Sequence, residues 1–420
     1  MKRFGINMYL IMAYMALLFS CTESEESTTV TLPRKGVSFL DPDYGTTVVR
    51  ITDKTIDNYA GPGMENEYAR TDPENCNGTF LVLRSNNGEW YLYNAATWRM
   101  IRHLTIVESG GEELEPRWDQ TDPNGFYFFD GPRLKRYDVA ANTTAPVHDF
   151  TNALSTPCSY ITTKTEGDAS LDRRYWCLML EDANFKVIGV VVYDKTNNSI
   201  LGQKTSFKDG INWVSMDMSG TYCVIGYEDS DSDTDQYTPP VDVFNRDFTF
   251  VVSLPEGSTG HMDLAQTAAG TDVMVYQNNT TDWIAMADLA TGVETNLVKI
   301  PFDVNVDIGL HISGNCSARP GWVLVSTYNS FNPPAGSTHS PIDNLLFLVE
   351  LKASPKIRNC AKTNAYVSKN FNGQKNYFAE AFAAINTAGT RVYFGSNWAV
   401  YETDYTDAYM VTVPASVWKK

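Results

Sequence analysis

Long helical periodicity is scarce along this chain. Short runs of alternating or continuous apolar residues recur instead, bounded by Gly, Asn, Asp and Pro, and they predict β-strands. After Asp72-Pro73 and Gly78 come strands over residues 79–83 and 90–93 and a polar turn. After Asp122-Pro123 and Gly125 come strands over 126–129 and 134–137, and again a turn. A Gly before a strong apolar strand returns at Gly220, Gly270, Gly321 and Gly389. A looser copy has Asp172-Arg173-Arg174 in that place, followed by strands over 175–180 and 187–193.

These copies begin near residues 67, 115, 160, 212, 261, 311 and 380. Seven copies at a period of roughly 50 residues, each with four short strands, predict an all-β fold, a seven-bladed β-propeller. A pair of β-sandwiches is the competing fold; it would space its strands less regularly and lack the matching Gly turn. Six or eight blades stay open, because the third and sixth copies carry insertions. Residues 46–52 predict a strand ahead of the first copy, placed to complete the last blade beside residues 408–413. Joining the chain ends in one blade removes edges that invite aggregation.

Composition narrows the partners. The 420 residues carry 33 Lys+Arg against 50 Asp+Glu, a net charge of −17, which argues against nucleic acid because phosphate binding needs cationic side chains. With 43% hydrophobic and 20% charged residues the chain reads as folded rather than disordered.

The first residues set the compartment. Met1-Lys2-Arg3 is a basic start, and the apolar run of twelve from Met8 to Phe19 is short of the ~20 residues of a membrane span, so it reads as a secretion signal, with an uncleaved anchor as the alternative. Leu17-Leu18-Phe19-Ser20-Cys21 resembles the bacterial lipoprotein box, whose Cys is lipidated and becomes the new N-terminus. That resemblance implies a signal peptide over 1–20, a lipidated Cys21 with a tether over 21–37, and a single propeller domain over 38–420. The body would be monomeric and held by its lipid at the bacterial outer membrane, facing the periplasm or the cell surface. The acidic stretch at 22–27 is similar to export signals of some surface lipoproteins and equally to a plain linker. Cys76, Cys158, Cys177, Cys223, Cys316 and Cys360 remain, none in a Cys-x-x-Cys pair. Buried thiols or one or two disulfides are therefore expected rather than a cysteine-built zinc site.

In a propeller the innermost strand of each blade lines the central channel, and the residue entering it points to one mouth. Counting back from the Gly turns puts Glu67, Glu115, Thr162, Asn212, His261, His311 and Glu380 in one phase, although the chain has only five histidines. A slip of one residue would turn each of them to the other face. Arg70, Arg117, Trp213, Asn315, Arg319, Asn397 and Trp398 lie in or beside that phase. Arginine forks bind carboxylates and aromatic faces pack on sugar rings. Taken singly, each Arg also fits a structural ion pair and each Trp the core.

The opening residues 39–52 (Phe-Leu-Asp-Pro-Asp-Tyr-Gly-Thr-Thr-Val-Val-Arg-Ile-Thr), Gly260-His261 and the closing run 380–394 resemble oligogalacturonate lyase-type propellers, within the wider TolB-like group. The resemblance is diffuse over about 370 residues and lies at superfamily level. It implies that His261 is the base. It also exposes a departure. The family's His-x-His manganese ligands fall on Glu380 and Phe382, and its Gln ligand falls on Tyr377, leaving His311 as the counterpart of the remaining His. The family's metal site is not reproduced, although His311 with Glu380 could hold a different divalent metal.

Elimination from a uronate polymer needs a base for the proton α to the carboxylate and a cation for the developing enolate. His261 could be the base, Arg70, Arg117 or Arg319 the cation, and Tyr377 the proton donor to the leaving oxygen. Hydrolysis by two carboxylates drawn from Glu67, Glu115 and Glu380 is a second enzymatic option. A carbohydrate-binding or scaffold propeller, with Asn212, Trp213, Arg319 and Trp398 among its contacts, is the non-catalytic alternative. Residues 228–235 alternate aspartates as a calcium loop does. Thr234 stands where such a loop needs Gly and Pro240 where it needs Glu, which favours a solvated insertion. His103, His148 and His339 fall at strand ends or loops and are expected at the surface.

Overall fold

The computed structural model describes residues 31–107, 114–228, 240–258, 261–302, 308–329, 340–367, 376–400 and 405–418. Cys21, the signal segment, most of the aspartate-rich insertion, Gly260 and His339 lie outside them. Among the described residues from Leu32 onward, which form one compact unit, the strands assemble into seven antiparallel sheets. Each is a propeller blade, and helix is limited to single short turns such as Lys54–Asp57.

The recurring glycine is a turn device. Gly78, Gly220, Gly270 and Gly389 all take positive φ, between 68° and 82°. Each donates its N–H to the carbonyl three residues earlier, on Asn75, Asp217, Thr267 and Asn386. A residue without Cβ occupies this region at no steric cost, which is why the repeat spells Gly there. Side chains finish the turn: the Asn75 and Asn386 Oδ1 atoms each accept the backbone N–H groups of the last turn residue and of the first residue of the following strand. Gly125 differs, since it already lies in its strand with the Arg136 guanidinium packed where a Cβ would be.

The apolar core lies between blades rather than inside one. Cys177, Met179, Val190 and Val192 of blade 3 pack against Val214, Met216, Cys223 and Ile225 of blade 4, all essentially inaccessible to solvent. A disulfide joins Cys177 to Cys223 across that layer, with Cα atoms 6.0 Å apart. Cys76 is an exposed free thiol; Cys158, Cys316 and Cys360 are buried free thiols.

The expected closure is present. Thr47–Arg50 pairs antiparallel with Asp407–Thr412, and Ser38–Leu40 adds a fifth strand outside it. Blade 7 thus contains both ends of the described chain.

The blades differ at the channel. Inner strands of blades 4, 5 and 6 are regular, at Ile211–Met216, Met262–Gln266 and Ile308–Ser313. Those of blades 1, 2, 3 and 7 shrink to Met64–Glu65, Arg117–Trp118, Tyr160–Thr162 and Ala384–Ile385. Beside the short strands, Glu115, Lys164, Thr165, Ala381 and Phe382 adopt φ of 45°, 59°, 59°, 75° and 41°. Non-glycine residues are strained there, and such strain clusters at functional sites. These irregular segments project across the axis: Tyr68 of blade 1 reaches His311 of blade 6, and Arg70 reaches Trp213 of blade 4.

Candidate functional site

Among the described residues, the irregular segments lie in blades 1, 2, 3 and 7, whereas blades 4 to 6 present regular inner strands, so the mouth is lopsided. A cavity of about 380 Å³ opens at the starts of the inner strands of blades 4 to 6. Arg70, Glu166, Asn212, Trp213, His261 and Gln277 line it, with Asn279, Ile308 and Gly309. The guanidinium of Arg70 lies over the rings of Tyr68 and Trp213, 5.6 and 5.8 Å from their centroids. Its Nη1 donates to the Glu166 carbonyl at 2.6 Å, and its Nη2 pairs with the Glu166 carboxylate.

Two glycines let the wall close. The indole of Trp213 lies where a Cβ of Gly226 would stand, 2.2 Å from its nearest ring atom. The ring of Tyr328 occupies the same place at Gly309, at 2.1 Å. Tyr328 stacks on His311 at 5.2 Å, and the His261 ring meets His311 edge-on at 4.6 Å.

His311 sits behind this wall at 2% exposure. Its Nε2 lies 3.2 Å from Glu380 Oε2, its Nδ1 is 3.3 Å from Tyr68 Oη, and the Phe382 ring packs on it at 4.7 Å. The residues do not fit the family's manganese: His311 already meets a partner through each ring nitrogen, and a phenyl group replaces a ligand. Among the described residues no group of three or more His, Cys, Asp or Glu side chains is arranged to hold a metal ion.

Of the expected site residues, the structure brings Arg70, Asn212, Trp213 and His261 to one cavity, with His311 and Glu380 just beneath. Tyr377 lines a separate small cavity with Glu65, Arg84 and Phe382, so it does not share a chamber with His261. Burial, with Glu380, Glu65 and Glu166 nearby, raises its phenol pKa well above the ordinary range.

Arg117 is corrected from ligand contact to internal ion. At 2% exposure it donates to Glu67 Oε2 at 3.0 Å and the Gly167 carbonyl at 2.7 Å, with Asp168 Oδ1 at 3.2 Å. Burial works against its charge, but Glu67, Asp168 and Glu115 outweigh it and hold the proton more firmly. Glu115, fully buried, accepts from Thr162 Oγ1 and the Thr163 N–H. Glu67 and Glu115 therefore do not face the mouth as the common phase predicted; the irregular segments of blades 1 and 2 turn them inward. Arg319 follows the inner strand of blade 6, at the end away from Gly309, exposed beside Trp418. Trp398 is core, stacked on Tyr409 at 4.8 Å and met edge-on by Phe39. Asn397 exchanges two hydrogen bonds with the backbone of Tyr366, and Asn315 lines a cavity of about 30 Å³ deeper in the channel.

Sequence reasoning missed Glu166, Gln277, Asn279, Tyr68 and Tyr328. Gln277 had a signal, since it ends the apolar run 273–276 on a strand already predicted.

No family model matches the chain, and no curated protein sequence matches it. Among solved structures it is similar to an oligogalacturonate lyase in complex with manganese (TM-score 0.61, 16% identity, covering 92% of this chain and 98% of that one). It is also similar to the oligogalacturonate lyase from Vibrio parahaemolyticus (TM-score 0.59, 14% identity, covering 91% and 100%). At this identity the likeness establishes the propeller fold alone.

Proposed function

We propose that the protein binds acidic, uronate-containing polysaccharide at the mouth of its propeller, outside the cytoplasm and tethered through a lipid on Cys21. One observation carries this reading: a polar cavity of about 380 Å³ in which a guanidinium, an imidazole, three side-chain amides and a tryptophan meet. Its size falls in the range of small-ligand sites. The amides match sugar hydroxyls, Trp213 offers a partly apolar wall, and Arg70 is the group for a carboxylate. The acidic body does not steer a polyanion from afar, so recognition rests on this local cation.

Cleavage by β-elimination is a second reading, favoured by His261 sharing the cavity with Arg70. His261 would remove the proton α to the uronate carboxylate, and Arg70 would neutralise the enolate charge. Hydrolysis finds less support: Glu67, Glu115 and Glu380 are buried among internal partners, leaving Glu166 as the one carboxylate on the cavity among the described residues.

Calorimetry of the full chain with oligogalacturonates tests the binding reading, and absorbance of an unsaturated uronate product tests cleavage. Binding without absorbance, with and without added divalent metal, leaves a binding module. If product forms, His261→Ala should abolish it and leave affinity largely intact. The absence of affinity for any glycan would remove the proposal and leave a scaffold role.

A further inference from the structure

The cation expected to recognise a ligand carboxylate already holds one. Both terminal nitrogens of Arg70 are committed to Glu166, one to its backbone carbonyl at 2.6 Å and the other to its side chain. The two bonds are not equally movable. The carbonyl belongs to a chain segment pinned on either side: before it the Glu166 N–H donates to the Thr163 carbonyl, and after it Gly167 abuts the Val214 carbonyl while its own carbonyl accepts from Arg117. The Glu166 carboxylate stands on rotatable bonds at the cavity wall, with its side chain 27% exposed.

We propose that Glu166 is the specificity-determining residue of this pocket, an internal carboxylate that occupies the ligand's place on Arg70 and must swing aside before a uronate can bind there. This rests on the binding reading above. With Glu166 ionised, the Arg70–Glu166 pair is neutral as a unit and presents an acceptor to sugar hydroxyls, a surface for neutral units. With Glu166 protonated or displaced, the guanidinium can take a carboxylate in fork fashion.

The surroundings make that exchange sensitive to pH. Glu166 faces Arg70, and Glu115, Tyr68 and Tyr377 lie within electrostatic reach, while His261 shares the cavity. Burial raises the Glu166 pKa above its ordinary value, Arg70 opposes this, and Glu115 adds to it. Uronate affinity should therefore rise as pH falls from 8 toward 5, a range in which the ligand's own carboxylates remain ionised.

The test is calorimetry on the full chain with trigalacturonate and with neutral galactotriose, at pH 5 to 8, for wild type, Glu166→Gln and Glu166→Ala. A His261→Gln control separates imidazole titration from that of Glu166. Thermal melts check folding, and the Ala variant replaces Gln if the amide does not fold. The expected result at pH 7 is a gain of roughly five- to tenfold in trigalacturonate affinity, the worth of a half-buried ion pair. The pH profile should flatten, with no gain for galactotriose. Wild-type binding of trigalacturonate that Glu166→Gln leaves unchanged or weakens would overturn the displacement model and spare the binding reading. No heat with either sugar for any variant at any pH would overturn the binding reading itself.

Discussion

His311 and Glu380 meet as a buried pair, Nε2 to Oε2 at 3.2 Å, joining the inner strand of blade 6 to the segment that leads into blade 7. Both side chains are 2% exposed, and the same imidazole meets Tyr68 of blade 1 through its other nitrogen. Three blades on one side of the ring are thereby stitched at the channel. Losing either partner takes a polar contact from the other in a dry site. His311→Leu and Glu380→Leu should each cost about 3–5 kcal/mol in urea denaturation. The double variant should cost less than the two added together, by about 1 kcal/mol or more. Strictly additive losses would mean that the pair is not coupled.

Arg117 makes a sharper contrast with its expected role. It is the shared cation of Glu67, Glu115 and Asp168, and Arg117→Met takes that charge from all three, of which Asp168 keeps its pair with Arg173. The expected loss is about 3–5 kcal/mol, with Arg117→Lys in between because an ammonium cannot reproduce the fork. Any change in the glycan affinity of the protein that remains folded should accompany the stability loss, because Arg117 also holds the Gly167 carbonyl beside Glu166. A selective fall in affinity at wild-type stability would return Arg117 to the ligand site.

Stability should fall as pH rises through neutrality. Burial pushes Asp263 from 3.8 up to about 7, although the Gly314 N–H, Arg70 and the Leu264 N–H favour its charged form. Asp72 also lies at about 7, through burial and the neighbouring Glu74. The native state thus keeps protons that the unfolded chain releases near pH 4. Each group's contribution is complete below about pH 4 and is lost as pH climbs through about 7, at up to ~1.4 kcal/mol per pH unit. Asp119 and Asp194, both near 2, act in the opposite sense but only in strong acid. The urea midpoint should therefore decline from pH 5 to pH 8, and Asp263→Asn should flatten that slope. A midpoint that is flat or rises over this window would contradict the assignment.

The fold was legible because the repeat writes its own punctuation: a positive-φ glycine after the inner strand in five of the seven blades, and apolar residues that alternate between two blade interfaces. Part of the site was legible for the same reason. In blades 4 and 5 a regular inner strand carries Asn212 and His261 to the mouth as counted. The count failed in blades 1 and 2, since nothing in hydrophobic alternation marks a segment that leaves the strand through a left-handed residue such as Glu115. Blade 3 offered a hint. The polar run Lys164-Thr165-Glu166-Gly167-Asp168 follows Ile161-Thr162 too soon for a strand of normal length, and an interrupted strand near an axis has to put its residues into the channel. Trp398 lies beside the counted phase, but a tryptophan suits a sugar ring and a core equally well, and here it is core.

Closure of the ring gives the prediction with the largest structural consequence. Four residues, Thr47–Arg50, cover the edge of Asp407–Thr412 in the register Thr47 to Thr412 through Arg50 to Tyr409. The seam is polar as well as laddered. Asp407, wholly buried, accepts from Arg50 Nε at 2.6 Å and Thr52 Oγ1 at 2.8 Å, with Tyr405 also bonded to it. A chain beginning at Asp53 would lose the ladder and the cation together, leaving a buried carboxylate beside an open strand edge. Such a chain should be largely aggregated by size exclusion. Arg50→Met keeps the ladder but removes the cation, and should remain monomeric while losing about 3–5 kcal/mol. Adding a peptide of residues 32–52 to the truncated chain separates the two causes, because it restores both the ladder and Arg50. Recovery of monomer with the wild-type peptide, weaker with its Arg50→Met version, would assign the seam both roles. A truncated chain that stays monomeric and melts like the intact protein would show that the last blade stands without its N-terminal strand.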